Sequence, residues 1–130
     1  MPLNKVSPAA VCFSGAGHPP PVLFFGADRI SSALELLVVE SPPIGVIGNT
    51  LFENKTISVP PFGRVLLYTD GAVELEQSNG DVTDESSFID FVRAMGPRDT
   101  LLDQIVQRAR QSHGPSHQLD DCTVMEIDFQ

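Results

Sequence analysis

The stretch Arg64-Val65-Leu66-Leu67-Tyr68-Thr69-Asp70-Gly71 runs from apolar, β-prone residues directly into an acid and a glycine. The apolar run predicts a buried strand, and the Asp-Gly pair predicts a turn at its end. A carboxylate at this position is held by the strand and oriented by the turn. Because Asp-Gly is also a common way to begin an ordinary turn, this stretch alone leaves open whether Asp70 is structural or a ligand.

A second group of acids precedes the last predicted strand. Asp120 and Asp121 stand immediately before the apolar run from Cys122 to Phe129. Adjacent acids are commonly solvated loop residues, so this pair alone is also open to a structural role. Two strands that end at the same edge of one sheet would bring Asp70 and Asp120 to a shared cation, and Mg²⁺ and Mn²⁺ prefer oxygen ligands. The two acidic segments together favour a metal site.

Further strands are predicted in the first half of the chain. Short apolar runs at Ala9–Phe13 and Val22–Phe25 predict two strands separated by a turn rich in glycine and proline. The segment Ile30–Val39 fits both helical and strand spacing, and we favour a strand for its second half, Leu36–Val39. Alternating residues over Phe52–Val59 predict an exposed or edge strand.

Two helices are predicted between these strands and the last one. Apolar residues recur at helical spacing from Phe88 to Met95 and again from Leu101 to Ala109. Polar loop residues follow up to Leu119. This order predicts an α+β fold in which helices pack on antiparallel β-sheet layers. The N-cap candidates are Thr83 or Asp84 for the first helix and Asp99 or Thr100 for the second.

Length and composition indicate one globular domain over residues 1–130. No apolar run approaches the roughly 20 residues of a membrane helix, and the start does not resemble a signal peptide, so we expect a cytoplasmic protein without membrane contact. A net charge of −9 argues against nucleic acid as a partner. Cys12 and Cys122 are expected to be reduced, buried thiols.

The histidines give little support for other chemistry. His113 and His117 are four residues apart, but Gly114 and Pro115 exclude the helix that would bring both rings to one zinc ion. We expect His18 to stabilise the turn in which it stands. The chain contains no nucleophile elbow, phosphate-binding loop or Cys-x-x-Cys pair.

Four separated motifs resemble, in order and spacing, the C-terminal portion of the SpoIIE-type branch of PP2C-like (PPM) protein serine phosphatases. The resemblance spans essentially the whole chain, and each motif would be weak evidence alone. It implies a PP2C-like α-β-β-α sandwich, incomplete in this chain. The motifs are Ala16-Gly17-His18-Pro19-Pro20, Pro43-Ile44-Gly45-Val46, Leu66-Leu67-Tyr68-Thr69-Asp70-Gly71-Ala72-Val73-Glu74 and Asp120-Asp121-Cys122-Thr123-Val124.

The resemblance also implies an activity and its residues. Asp70 and Asp120 would be ligands of Mn²⁺ or Mg²⁺, supported by Gly71, Asp121 and Thr123, and Gly17-His18 would form a turn motif. The implied reaction is hydrolysis of phosphoserine or phosphothreonine by a metal-held water, without a covalent intermediate. The implied substrate is a phosphorylated regulatory protein of bacterial signalling, such as an anti-sigma-factor antagonist.

One departure from the family pattern limits this expectation. A complete domain has an earlier half whose Asp bridges two metals, whereas the first acid in this chain is Asp28. We therefore expect a weak or incomplete metal site and negligible activity of the isolated chain. Unpaired strands would favour association with the missing half or a homo-oligomer.

Two other functions compete with the phosphatase. The first is a catalytically deficient, phosphatase-like module that binds a regulatory partner through the same fold. The second is a haloacid-dehalogenase-type phosphatase, whose first motif the run ending at Asp70 superficially resembles. That family needs a nucleophilic Asp two positions earlier, where this chain has Tyr68, so the second alternative fails.

Overall fold

The structure, a computed structural model, describes residues 9–25, 33–112, 114 and 121–129. In this part of the chain strands come first, helices follow and one strand comes last, which is the order predicted for an α+β fold. The elements are β1 (Ala9–Phe13), β2 (Val22–Phe25), β3 (Ala33–Leu36), β4 (Lys55–Val59), β5 (Arg64–Tyr68), α1 (Asp70–Val73), α2 (Glu85–Met95), α3 (Leu101–Gln111) and β6 (Val124–Asp128).

The strands form two antiparallel sheets. The larger has the order β3-β2-β5-β6, and the smaller pairs β1 with β4. In the larger sheet Leu66 of β5 lies opposite Val22 of β2, and Tyr68 lies opposite Val124 of β6. The strand β5 is thus internal, which explains its nearly continuous apolar sequence.

The helices cover one face of the four-stranded sheet. Leu66, Tyr68, Phe88 and Leu101 are all at most 1% exposed in the core between sheet and helices. The rings of Tyr68 and Phe88 lie 4.4 Å apart at an angle of 40°. Full burial of one such side chain stabilises the fold by about 1.5–3 kcal/mol relative to exposure, so this core is the main source of stability.

The opposite face of the same sheet packs on the small sheet. Leu23, Leu37, Val59 and Val65 are buried there, with side chains of β1 packed against them. The layers are therefore helices, large sheet and small sheet. This confirms the predicted α+β fold and corresponds to part of a PP2C-like α-β-β-α sandwich.

An ion cluster around the buried guanidinium of Arg64 lies at the end of the helix-side core away from Asp70. Arg64 is 3% exposed, and its guanidinium lies 2.9 Å from Glu126, 3.2 Å from Asp99 and 3.5 Å from Asp128. These carboxylates come from β6 and from the connection between α2 and α3. Removing one partner of such a buried pair leaves an uncompensated charge, so the cluster ties these elements together.

The helix boundaries largely follow the sequence. Asp84 is the N-cap of α2 and its side chain accepts a hydrogen bond from the backbone N–H of Ser87, while Thr100 occupies the N-cap position of α3. Both predicted helices are confirmed. Among the described helices none is long and apolar enough to cross a bilayer.

Three boundaries differ from the prediction. The strand predicted in the second half of Ile30–Val39 is observed as β3, Ala33–Leu36. Its ladder with β2 ends at the pair of Leu36 and Val22, because the next residue on the β2 side, Pro21, has no backbone N–H to donate. The strand predicted from Phe52 begins at Lys55, opposite the last residue of β1. The turn predicted at Asp70 continues as the short helix α1.

Candidate metal centre

The ends of β5 and β6 are joined beyond their last ladder pair. The backbone N–H of Thr69 donates to the carbonyl oxygen of Thr123 at 3.1 Å. In return, the backbone N–H of Thr123 donates to the Thr69 hydroxyl oxygen at 3.0 Å. The two threonines thus continue the strand pairing up to the acidic residues on each side.

Gly71 brings the same two segments into direct backbone contact. A Cβ atom at this position would lie 2.2 Å from the carbonyl oxygen of Asp121 and 2.7 Å from its carbonyl carbon. Only glycine leaves room for this approach. We refer to this packing, with the bonds between Thr69 and Thr123, as the strand-end contact. It places Asp70, between Thr69 and Gly71, beside the segment that contains Asp121.

The two acids differ in what the structure describes. Asp70 is exposed and is the first residue of α1, and its backbone carbonyl accepts from the N–H of Glu74 at 2.8 Å. Asp121 is also exposed, next to the strand-end contact. Asp120 lies outside the described residues, as do His113 and His117.

The turn motif is connected to this edge through β5. Gly17 has φ +78°, and a Cβ there would lie 2.6 Å from Cγ of Pro43, so the first two sequence motifs are in contact. The Tyr68 hydroxyl donates to the carbonyl oxygen of Pro20 at 2.7 Å. His18 is exposed, and its Nδ1 lies 2.9 Å from the carbonyl oxygen of Pro19. All four sequence motifs therefore form one connected region.

Burial keeps two titratable groups of this region neutral. Desolvation raises the pKa of the Tyr68 phenol well above its ordinary range, and the negative charge of Glu85 raises it further. Desolvation also raises the pKa of the Cys122 thiol. Tyr68 therefore remains a hydrogen-bond donor at neutral pH, and Cys122 remains a protonated thiol.

Comparison with known proteins agrees with this arrangement. Residues 6–130 match the family model described as Stage II sporulation protein E (SpoIIE). The chain belongs to this family. It is also similar to the phosphoserine phosphatase RsbP of Bacillus subtilis (strain 168), with 37% identity over 62 residues, or 48% of this chain. The chain spans 14% of the length of that relative. No solved structure matches the chain.

The donor chemistry of this SpoIIE-family edge suits a hard cation. Carboxylate oxygens, such as those of Asp70 and Asp121, are the ligands that Mg²⁺ and Mn²⁺ prefer. Within residues 9–25, 33–112, 114 and 121–129, however, no group of three or more acidic, histidine or cysteine side chains is arranged to hold a metal ion. The described residues thus supply donors of the right type.

Sequence reasoning missed the residues that hold this edge together. It identified the acids, Gly71 and Thr123, but it assigned no role to the Thr69 hydroxyl or the Tyr68 phenol. The one available signal was a threonine within two positions of an acid in both segments, Thr69 before Asp70 and Thr123 after Asp121. Nothing in the sequence pairs Tyr68 with Pro20, because 48 positions separate them.

Proposed function

We propose that this chain is part of a metal-dependent protein serine/threonine phosphatase of bacterial signalling. The observation that carries the proposal is the strand-end contact, which holds the Thr69-Asp70-Gly71 segment against the backbone of Asp121. Membership of the SpoIIE family and similarity to a protein named a phosphoserine phosphatase support it. We further propose a phosphorylated regulatory protein, such as an anti-sigma-factor antagonist, as substrate.

In this proposal Asp70 and Asp120 hold Mn²⁺ or Mg²⁺. Gly71 and Thr123 keep the two acidic segments together, and Asp121 supports the ligands from the adjacent position. When bound, such an ion supplies a water of lowered pKa and neutralises charge on phosphoryl oxygens. In this proposal the backbone contacts of the chain orient the carboxylates. Burial keeps the phenol of Tyr68, at the end of β5, neutral.

We propose that the remaining metal ligands come from polypeptide outside these 130 residues, joining this chain as the other half of one domain or from another copy. A two-metal centre needs more donors than Asp70 and its neighbours provide. The alternative is a module that binds a regulatory protein without catalysis, which the partial ligand set of the described residues favours. Metal titration and activity measurements separate the two.

The metal proposal is tested by calorimetric titration of the chain with Mn²⁺. We expect weak binding that is lost in Asp70→Asn and in Asp120→Asn. The matched control is Asp103→Asn, which removes one exposed acid of α3 and leaves the strand-end contact untouched. Retained binding in this control with loss in the other two supports the site. Isotherms that are identical in all four proteins would reject it.

The catalytic proposal is tested separately with p-nitrophenyl phosphate and Mn²⁺. We expect negligible turnover by this chain alone, and turnover by a longer polypeptide that contains an upstream acidic strand end. Loss of that turnover in Asp70→Asn would support the phosphatase. Metal binding without turnover in the longer polypeptide would instead favour the non-catalytic module. Turnover by the isolated chain that Asp120→Ala abolishes would contradict the incomplete ligand set.

A further inference from the structure

A polar groove of about 420 Å³ lies on the helix layer, between α2, α3 and the chain that follows α1. Ligand sites of small size typically have volumes of about 300–1,000 Å³. Leu75 and Phe91 supply its apolar surface, and hydroxyl groups of Thr83, Ser87 and Ser112 contribute to its walls. The largest group of lining side chains consists of amides: Gln77, Gln104, Gln107 and Gln111.

Among the described residues that line this groove, Arg108 is the one with a charged side chain. Its guanidinium lies over the ring of Phe91, 5.1 Å from the ring centre. It donates to the Ser87 hydroxyl at 3.2 Å and, at 3.4 Å, to the carbonyl oxygen of Ala72. Partial burial lowers the pKa of Arg108, because the charged form loses hydration.

The surroundings of Arg108 differ from those of Arg64 and Arg93. Arg64 is paired with three carboxylates, and Arg93 lies 3.0 Å from Asp90. Within the described part of the chain, no carboxylate forms an ion pair with Arg108. Arg108 is thus a half-buried guanidinium that no carboxylate of the described residues neutralises, although the protein has a net charge of −9.

The unused donors of Arg108 suit one carboxylate. A guanidinium carries five N–H groups in a planar fork, and two neutral oxygens occupy only part of it. The neighbouring amides of Gln104, Gln107 and Gln111 repeat along α3 and each offer both a donor and an acceptor, as a peptide backbone requires. The negative charge of the whole protein disfavours a ligand with many negative charges.

From these features we propose that the groove binds an extended peptide segment of a protein partner, with one Asp or Glu side chain on Arg108 and backbone amides on the glutamines. The groove is separate from the candidate metal centre, and the proposal does not depend on phosphatase activity. The two are connected by the chain, since Ala72 and Val73, whose carbonyls accept bonds from Arg108 and Thr83, belong to the helix that Asp70 begins.

The test uses a blocked heptapeptide with one central glutamate among serines and glycines, and a matched peptide with glutamine in its place. Both are titrated into the ¹⁵N-labelled chain and followed by NMR. We expect the glutamate peptide to bind at least fivefold more tightly than the glutamine peptide. The largest shifts should appear at backbone amides of Thr83, Ser87, Gln104 and Gln107. Shifts on another surface, or no binding of either peptide, would overturn the proposal.

Two pairs of variants sharpen the test. Arg108→Gln should reduce the ratio of the affinities for the glutamate and glutamine peptides to about one. Arg110→Gln, at an exposed position on the same helix, should leave this ratio unchanged. Because Arg108 also bonds to neighbouring elements, a second pair leaves it in place. Gln107→Glu should weaken binding of the glutamate peptide at least fivefold, whereas Ser86→Glu, exposed on α2, should not.

Loss of the preference in Arg108→Gln or selective weakening in Gln107→Glu supports the proposal, with Arg110→Gln and Ser86→Glu unaffected. Equal effects of test and control variants would show general electrostatic attraction and overturn it. Inorganic phosphate that produces the same shifts with the same affinity would identify a small-anion site instead of a peptide groove.

Discussion

The two faces of the four-stranded sheet are covered to different extents. On the helix side, Tyr68 and Phe88 are at most 1% exposed. On the other side, the two-stranded sheet packs over β2 and β5, but Met125 and Ile127 of β6 remain 54% and 41% exposed. These two residues lie opposite Leu67 and Val65 in the ladder, so they belong to the same apolar face.

The difference shows that one face of the sheet is covered by packed side chains, whereas part of the other face still exposes apolar side chains to solvent. The helix side has the packing of a finished core, with an ion cluster at one end and the strand-end contact at the other. Within the described residues, the second layer on the other side is two strands wide across a sheet of four. We therefore expect substitutions on the helix side to change folding and those on the open face to change association.

The largest effect is expected for Phe88→Ala. Phe88 is fully buried against Tyr68, so its removal should leave a cavity and lower the free energy of unfolding by about 3–5 kcal/mol. Urea unfolding followed by circular dichroism measures the change. The control is Phe62→Ala, at a ring that is 59% exposed, with an expected loss below about 0.5 kcal/mol. Equal losses would contradict the assignment of the main core.

A smaller but more specific effect is expected for Gly71→Ala. The added Cβ would overlap the carbonyl of Asp121, which should cost about 1–3 kcal/mol and move the two acidic segments apart. Urea unfolding measures the stability, and Mn²⁺ calorimetry measures the site. Gly48→Ala is the matched control, because a Cβ there meets nothing within 4 Å. Unchanged metal binding in Gly71→Ala would show that metal binding does not depend on the strand-end contact.

Tyr68→Phe should cost about 1 kcal/mol, because it leaves the carbonyl of Pro20 without its donor. The same phenol gives a pH dependence. Its folded pKa lies above the ordinary value near 10, so the unfolded chain loses this proton first as pH rises. The stabilisation is complete below pH of about 10 and decreases above it. Urea midpoints should therefore fall above pH 10 in the parent chain and fall less in Tyr68→Phe.

The smallest change in stability is expected on the open face. Met125→Thr replaces an unbranched apolar side chain by a β-branched residue that suits an exposed strand position, and it should change the free energy of unfolding by less than about 0.5 kcal/mol. If this face packs against further strands, the same substitution should weaken self-association measured by sedimentation. A loss above about 2 kcal/mol in the monomer would show that Met125 is already part of a closed core.

The sequence predicted the elements that have a long periodic pattern or that depend on contacts between residues close together in the chain. The helices α2 and α3 each run for 11 residues with regular apolar spacing, and the cap at Asp84 is a local bond. The helix α1 has four residues, too few for a periodic signal, and was taken for a turn. The first and last residues of β3 and β4 depend on where the partner strand ends. That strand is distant in the sequence, so no local pattern predicts these limits.

Side chains whose roles depend on distant contacts were the hardest to predict. Arg64 begins a strand in the sequence, but its burial requires three acids at positions 99, 126 and 128. Arg108 resembled an ordinary basic residue near a helix C-terminus, whereas the structure places it over Phe91 without an acid in the described part of the chain. The position of Asp70 at a strand end follows from a local pattern, and its role as a metal ligand stays a prediction.

The strand-end contact has a consequence for how the ligands can vary. Its bonds use the backbone and hydroxyl of Thr69 and the backbone of Thr123, and its closest packing uses Gly71 and the backbone of Asp121. The carboxylate of Asp70 takes part in none of these interactions. In the proposed centre, the strand-end contact and the ligand are therefore separable, and Asp70→His or Asp70→Glu should alter the preferred metal while the strand ends stay joined.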